Sequence, residues 1–313
     1  MRPFRFGVNG RSAASRAEWA DKARRAEDQG YAVLTMPDHL LDLLAPLPAL
    51  LAAASATTRL RVGTVVLDND FRHPVLLARE VATVDLLTDG RFELGLGAGW
   101  LKAEYDQAGL TFDDGATRIE RLEEAVGIVA RLLAGEEVTV AGRHYRVTGH
   151  RIHPRPVQQP RPPIFIGGNA RRLLAVAARH ADIVGFTGIA FRDGGAKPDV
   201  GGFRADALDA RVRAVREAAG ARSGGLELQA LVQRVIVTDD RRGAAEGLAR
   251  EWAERGGLTA DEILASPHAL VGTADQIVED LQHHRERWGI SYYTVFEPVR
   301  DAFAPVVARL AGP

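Results

Sequence analysis

Asp38-His39 is the sharpest acid–base pair in the chain. An imidazole beside a carboxylate, directly after a β-rich run that stops at Pro37, can donate a hydrogen bond or shuttle a proton near neutral pH. The same dipeptide also reads as an Asp capping the next helix with a His at the rim of the fold, and the pair alone favours that structural reading. Gly167-Gly168-Asn169 joins another β-rich run directly to a helix. Its backbone N–H groups could approach an anion at the helix N-terminus, or the glycines could simply make a tight turn, and the two readings weigh evenly. Gly95-Leu96-Gly97-Ala98-Gly99 approaches a dinucleotide-binding fingerprint, but Trp100 stands where the third glycine belongs. Those glycines read instead as keeping side chains out of a ligand's way. Asn9 and Trp100, each closing a β-rich run, and Glu104, one helical turn past the second, complete the pocket candidates.

Other chemistries find no support. His150 and His153 flank an arginine in a linker, and His283-His284 sit on a helix that reads as exposed. No His–carboxylate cluster has ligand spacing, so no metal site is expected. There is neither a Gly-x-Ser-x-Gly elbow nor a P-loop. The chain has no cysteine, which removes disulfides, thiolate metal sites and Cys nucleophiles together.

The elements that must position these residues alternate. Periodicity predicts strands at Phe4–Val8, Tyr31–Met36, Arg59–Leu67, Arg91–Gly97, Pro163–Ile166, Asp182–Phe186, Leu226–Thr238 and Ser291–Phe296. Helices are predicted at Ser15–Gln29, Pro48–Ser55, Pro74–Leu87, Thr117–Leu133, Ala170–His180, Arg204–Ala219, Asp240–Arg255 and Thr273–Trp288. Eight strands separated by helices demand parallel pairing, and that count suits a closed α/β (β/α)8 TIM barrel better than an open doubly wound sheet. Residues 1–313 then form one domain with insertions near 136–161 and 188–202. The first insertion holds a hairpin through Val138-Thr139-Val140 and His144-Tyr145-Arg146-Val147. The second is glycine-rich, lacks apolar period and reads as a mobile loop over the barrel mouth. In such a barrel the site lies at the carboxyl ends of the strands, where the candidates above fall.

Composition agrees with a small-molecule enzyme. Forty basic and 41 acidic residues leave a net charge of −1, so no field steers nucleic acid or anionic lipid to the surface. The longest apolar stretch, Ala45 to Ala56, carries two prolines and is too short to span a bilayer, and the N-terminus lacks a signal-peptide core. A cytoplasmic protein without membrane or nucleic-acid partners is expected. Only three of the 40 basic residues are lysines.

The longer runs carry a resemblance. Glu27-Asp28-Gln29-Gly30-Tyr31, Pro37-Asp38-His39, Arg59-Leu60-Arg61-Val62-Gly63-Thr64-Val65-Val66 and Arg72-His73-Pro74 are similar to segments of the bacterial luciferase-like oxidoreductases. So are Asp89-Gly90-Arg91-Phe92-Glu93-Leu94-Gly95-Leu96-Gly97-Ala98-Gly99-Trp100 and Pro162-Pro163-Ile164-Phe165-Ile166-Gly167-Gly168. This barrel superfamily includes flavin-dependent monooxygenases and deazaflavin-dependent dehydrogenases and reductases. The resemblance implies a deazaflavin or flavin ring across the barrel mouth, backed by a bulge on the third strand with a non-prolyl cis peptide at Val65–Val66. It implies contact of the cofactor with Asp38, His39, Gly97, Ala98 and Gly99, and of its phosphate-bearing tail with the backbone of Gly167-Gly168-Asn169 and around Thr187. Asp38-His39 matches a pair beside the reactive carbon in deazaflavin sugar-phosphate dehydrogenases. His39 would be the proton donor or ring-side contact, and Asp38 its orienting partner. Those dehydrogenases carry an acidic glutamate where Trp100 stands here, so the chain departs from them at that position. The arginine skew matches GC-rich actinobacteria, many of which make coenzyme F420, and this tips the implied cofactor toward F420 over FMN. The resulting expectation is an F420-dependent oxidoreductase, a homodimer acting on a small organic substrate. The other readings are an FMN-dependent monooxygenase and, from a different class, a non-catalytic deazaflavin-binding protein.

Overall fold

Eight short runs of mostly buried residues pair side by side and close into a ring. In the structure, a computed structural model describing residues 2–311, they are β1 (Arg5–Asn9), β2 (Val33–Met36), β3 (Arg61–Thr64, resuming at Leu67–Asp68), β4 (Phe92–Gly97), β5 (Ile164–Gly167), β6 (Ile183–Phe186), β7 (Glu227–Leu231) and β8 (Ile290–Phe296). Each strand pairs in parallel with its sequence neighbours, and β8 pairs with β1 to complete the barrel. Helices follow from their patterns. Arg16–Asp28 buries Trp19, Ala23 and Ala26 and is capped by the Ser15 hydroxyl, while Gly115–Leu133 buries Leu122, Val126, Val129, Leu132 and Leu133 on one stripe. The main core lies between these faces and the outer surface of the barrel.

β3 carries one residue more than β4. Val62 faces Phe92, but beyond the interruption Leu67 faces Leu96. The extra residue is absorbed at Val65–Val66, where the peptide bond is cis, and β4 makes room for it. A Cβ built at Gly95 would lie 1.9 Å from the Thr64 carbonyl oxygen, and one at Gly97 would lie 2.4 Å from Val66 Cγ2. The glycines of β4 therefore make room for the bulge.

The barrel interior is filled. At the amino ends of the strands Arg5 reaches Glu93 at 2.6 Å and Glu227 at 2.8 Å, Arg61 joins Glu93 at 2.7 Å, and the Arg5 guanidinium lies 4.1 Å from the Tyr292 ring centroid. Burial works against the charge on Glu93, yet Arg5 and Arg61 hold its carboxyl below the usual range. Val33, Phe165, Ile183 and Tyr292 form an inner cluster, against which Val65 and Val66 pack while staying partly exposed.

Three expectations change. The predicted strand Leu226–Thr238 is two: β7 ends at Leu231, and Arg234–Val237 pairs in parallel with Ala269–Gly272 outside the barrel. The switch occurs because the N–H groups of Gln233 and Arg234 both donate to the His268 carbonyl, and β-branched residues on both sides hide it from periodicity. Residues 188–202 contain an antiparallel hairpin, Ala190–Arg192 with Lys197–Asp199, whose pairing needs no apolar period. Short helices at Lys102–Ala108 and Ala260–Leu264, and Arg300–Leu310 with its internal Pro305, were not predicted. The hairpin of the first insertion forms between Val138–Ala141 and Arg146–His150. No helix among the described residues is long and apolar enough to cross a membrane.

Candidate active site at the barrel mouth

His39 follows β2, and its Nδ1 lies 3.0 Å from the Glu104 carboxylate. Glu104 is 2% exposed, and its carboxylate has no other hydrogen-bond partner among the described residues. A carboxylate accepting from Nδ1–H fixes one tautomer of the imidazole and leaves Nε2 to face a reactant. Asp38 does not perform that task. Its carboxylate accepts the Asp68 N–H at 3.1 Å and both terminal nitrogens of Arg72. Nor does it cap the next helix, Pro46–Ser55, which starts after Ala45 without a side-chain cap. The orienting carboxylate supplied by the structure is Glu104, which sequence spacing had placed only in the pocket. The signal was available in its position one turn beyond Trp100, but not the direction of its side chain.

The helix Lys102–Ala108 brings Glu104 to His39, and the next residue ties that helix down. The Tyr105 hydroxyl lies 2.8–2.9 Å from both Asp68 carboxylate oxygens, and the Phe71 and Phe112 rings flank it with centroids 5.3 and 4.9 Å away. Gly99, at φ +72°, permits the approach, since a Cβ there would fall 2.0 Å from the Tyr105 oxygen. Burial pushes the Asp68 carboxyl up to about 6, with Asp70 and Asp38 adding to the effect and the Asp70 N–H and Tyr105 hydroxyl opposing it. Arg118 donates to the Ala98 carbonyl at 3.0 Å, and Arg121 bridges Asp70 and Asp113. Gly97, Ala98 and Gly99 are thus occupied largely by the protein's own bulge, arginine and tyrosine. A cleft of about 400 Å³ lined by Arg72, His73, Arg121 and Tyr145 lies behind the Asp38–Arg72 pair, and His39 does not line it.

Across the mouth, Trp100 meets the His39 ring edge-on at 5.5 Å and 84°, and stacks on Phe191 of the 190–199 hairpin at 3.9 Å and 19°. The sequence pointed to Trp100 as a pocket wall; Phe191 carried no signal, since its segment read as loop. At the ends of β5 and β6, Asn169 donates to the Thr187 hydroxyl at 2.7 Å and the Ile189 carbonyl at 2.6 Å, and accepts the Gly188 N–H at 3.0 Å. Gly167 and Gly168 lead from β5 into the helix Arg171–His180, which has no side-chain N-cap and carries exposed Arg171 and Arg172 in its first turn. Asn9 is buried at the end of β1, its Nδ2 3.3 Å from the Thr35 hydroxyl and its Oδ1 without a hydrogen-bond partner.

His268 and His284 correct a second reading, for His284 is buried rather than on an exposed face. The His268 ring lies against Gly188 and Phe203, its Nδ1 3.0 Å from the Leu231 carbonyl. Burial lowers His268 to about 4, and burial together with neighbouring His268 lowers His284 to about 3. Among the described residues no three His, Asp or Glu side chains form a metal-binding group.

A family model described as luciferase-like monooxygenase matches residues 1–292. The chain belongs to the luciferase-like monooxygenase family. Within that family it is 35% identical over 189 residues to an F420-dependent glucose-6-phosphate dehydrogenase of Microbacterium testaceum, covering 58% of this chain and 55% of that one. It is 30% identical over 131 residues to an FMNH2-dependent dimethylsulfone monooxygenase of Pseudomonas putida, covering 42% and 36%. This luciferase-like chain therefore spans about half the length, or less, of the curated relatives it matches. The coenzyme F420-dependent tetrahydromethanopterin reductase of Methanopyrus kandleri shares the fold, with a TM-score of 0.76 at 18% identity over 98% of both chains.

Proposed function

We propose that this protein is an F420-dependent oxidoreductase that moves a hydride between the deazaflavin and a small organic substrate. The observation that carries it is the His39–Glu104 pair, which leaves Nε2 without a hydrogen bond to any described residue at the carboxyl end of the barrel. The support for the deazaflavin comes from curated relatives at 34–35% identity that are F420-dependent. The residues present fit such a group. Val65 and Val66 offer a partly exposed apolar floor, and the uncapped helix start with Arg171 and Arg172 offers N–H donors and positive charge to a phosphate tail.

Bound there, the deazaflavin supplies a ring carbon that gives or accepts hydride and reacts poorly with oxygen. His39 Nε2 moves the accompanying proton. A carbonyl oxygen held there would take its proton from Nε2 as the substrate is reduced, and an alcohol would return that proton to Nε2 in the reverse direction. Glu104 stabilises the imidazolium that forms when the ring holds both protons. Asp38, Arg72 and Asp68 hold the loop that carries His39 against β3. Titration of the purified protein with oxidised and reduced F420, followed by fluorescence, tests the reading. Absence of binding at tens of micromolar sinks it, and stoichiometric binding without turnover of any ketone, imine or enoate would make the chain a deazaflavin-binding protein instead.

The second reading, an FMN-dependent monooxygenase, is favoured by the Pseudomonas putida relative. Tight FMN binding with reductase-driven oxygen consumption would establish it.

A further inference from the structure

The wall beside His39 is aromatic and apolar. Trp100 presents its edge or face to His39 and Phe191, Leu101 packs beside Gly195 of the same hairpin, and Leu40 and Leu41, directly after His39, are about half exposed. The two lysines of the segments that meet here are already ion-paired, Lys102 with Asp106 at 2.6 Å and Lys197 with Asp193 at 2.8 Å. Arg72 is held by Asp38. An anionic group seated on this wall would meet the negative faces of two π systems, and among the described side chains Lys102, Lys197 and Arg72 are already engaged by carboxylates. A neutral ring would instead bury apolar surface against them.

We infer that the Trp100–Phe191 pair selects an uncharged, apolar carbonyl compound, such as a cyclic enone or ketone, over a phosphorylated or carboxylated substrate. The carbonyl rests on the hydride-transfer reading above; the selection against charge rests on the wall alone. Trp100, whose ring meets His39, and Phe191, stacked on Trp100, act as specificity residues. The chain thus parts from sugar-phosphate chemistry at the position where Trp100 stands.

The test uses the full chain, with and without F420, titrated calorimetrically with 2-cyclohexen-1-one and with glucose 6-phosphate. The enone should bind at least about tenfold more tightly than the sugar phosphate. Phe191→Ala should weaken the enone about three- to tenfold and leave the sugar phosphate unchanged, and Phe191→Leu should restore most of the loss. Tryptophan emission locates the enone, because Trp19, Trp252 and Trp288 are at most 4% exposed whereas Trp100 is partly open. Enone binding should change the emission of the wild type and not that of Trp100→Phe. Tighter binding of glucose 6-phosphate, no binding of either probe at millimolar concentration, or an unchanged Phe191→Ala variant would each overturn the inference. F420 binding with the sugar phosphate preferred overturns the selection alone. Enone preference in a protein that binds no F420 overturns the cofactor reading and leaves the selection standing.

Discussion

Glu104→Gln isolates the charge that orients His39. The glutamine has nearly the same volume and can still accept from Nδ1–H, so packing in the helix Lys102–Ala108 and the 3.0 Å contact are kept. The carboxylate is almost fully buried and has no other hydrogen-bond partner among the described residues, so little solvent screening dilutes its effect on the ring. A charge-assisted hydrogen bond contributes about 1.5–3 kcal/mol against roughly 1 for a neutral one. The difference of about 1–2 kcal/mol is lost as the imidazolium forms, and corresponds to a rate reduction of roughly 5- to 30-fold. The assay is single-turnover hydride transfer with F420 already bound, and a cofactor titration shows that the site is otherwise intact. Glu104→Ala should lose more, because it also leaves the Nδ1–H without a partner in a buried pocket. A Glu104→Gln variant within twofold of the wild-type rate would refute the assignment of Glu104 as the orienting group.

Three further outcomes follow from the same structure. Tyr105→Phe removes the hydroxyl that ties the Glu104 helix to Asp68, and should cost about 1–2 kcal/mol in denaturant unfolding and slow hydride transfer several-fold; a change in neither would mean the tie is dispensable. Gly95→Ala sets a Cβ 1.9 Å from the Thr64 carbonyl and should destabilise by about 3 kcal/mol, whereas a loss under about 1 kcal/mol would show that the bulge can shift. His268 and His284 titrate lower in the fold than the ordinary 6.5, so the unfolded chain binds more protons as pH falls below that value and stability declines between about pH 6.5 and 3. Asp68 works the other way, because its folded carboxyl takes up a proton near pH 6 that the unfolded one does not take until about pH 4. By pH 5 the two histidines outweigh Asp68, so the midpoint of thermal unfolding should drop from pH 8 to pH 5, and a rise would contradict the burial of the two rings.

The barrel was legible because most of its strands are short β-rich runs followed by an amphipathic helix with clear stops. Pro74–Leu87 was readable to the residue from its opening proline and the Asp89-Gly90 turn. Strand partners were not readable where one β-rich run changes neighbours, as at Gln233. At the site, residue types gave His39, Trp100 and Glu104, and the strand-end rule placed them at one mouth. What sequence could not show was direction. Asp38 is adjacent to His39 in the chain, yet its carboxylate goes to Arg72 and the Asp68 N–H, while Glu104 crosses from another element to take the imidazole. Likewise the residue types of β4 do not show that its glycines make room for the extra residue of β3. Phe191 lies in a glycine-rich segment whose order comes from backbone pairing, which leaves no apolar period to read.

The most direct measurement is anaerobic single-turnover reoxidation of reduced F420 bound to the protein, mixed with a panel of ketones, imines and enoates and repeated in the presence of oxygen. Reoxidation should depend on the organic substrate, be indifferent to oxygen, and fall about 100-fold or more in His39→Ala. Failure of F420 to bind, together with oxygen-dependent turnover supported by reduced FMN, or a His39→Ala rate equal to wild type, would contradict it.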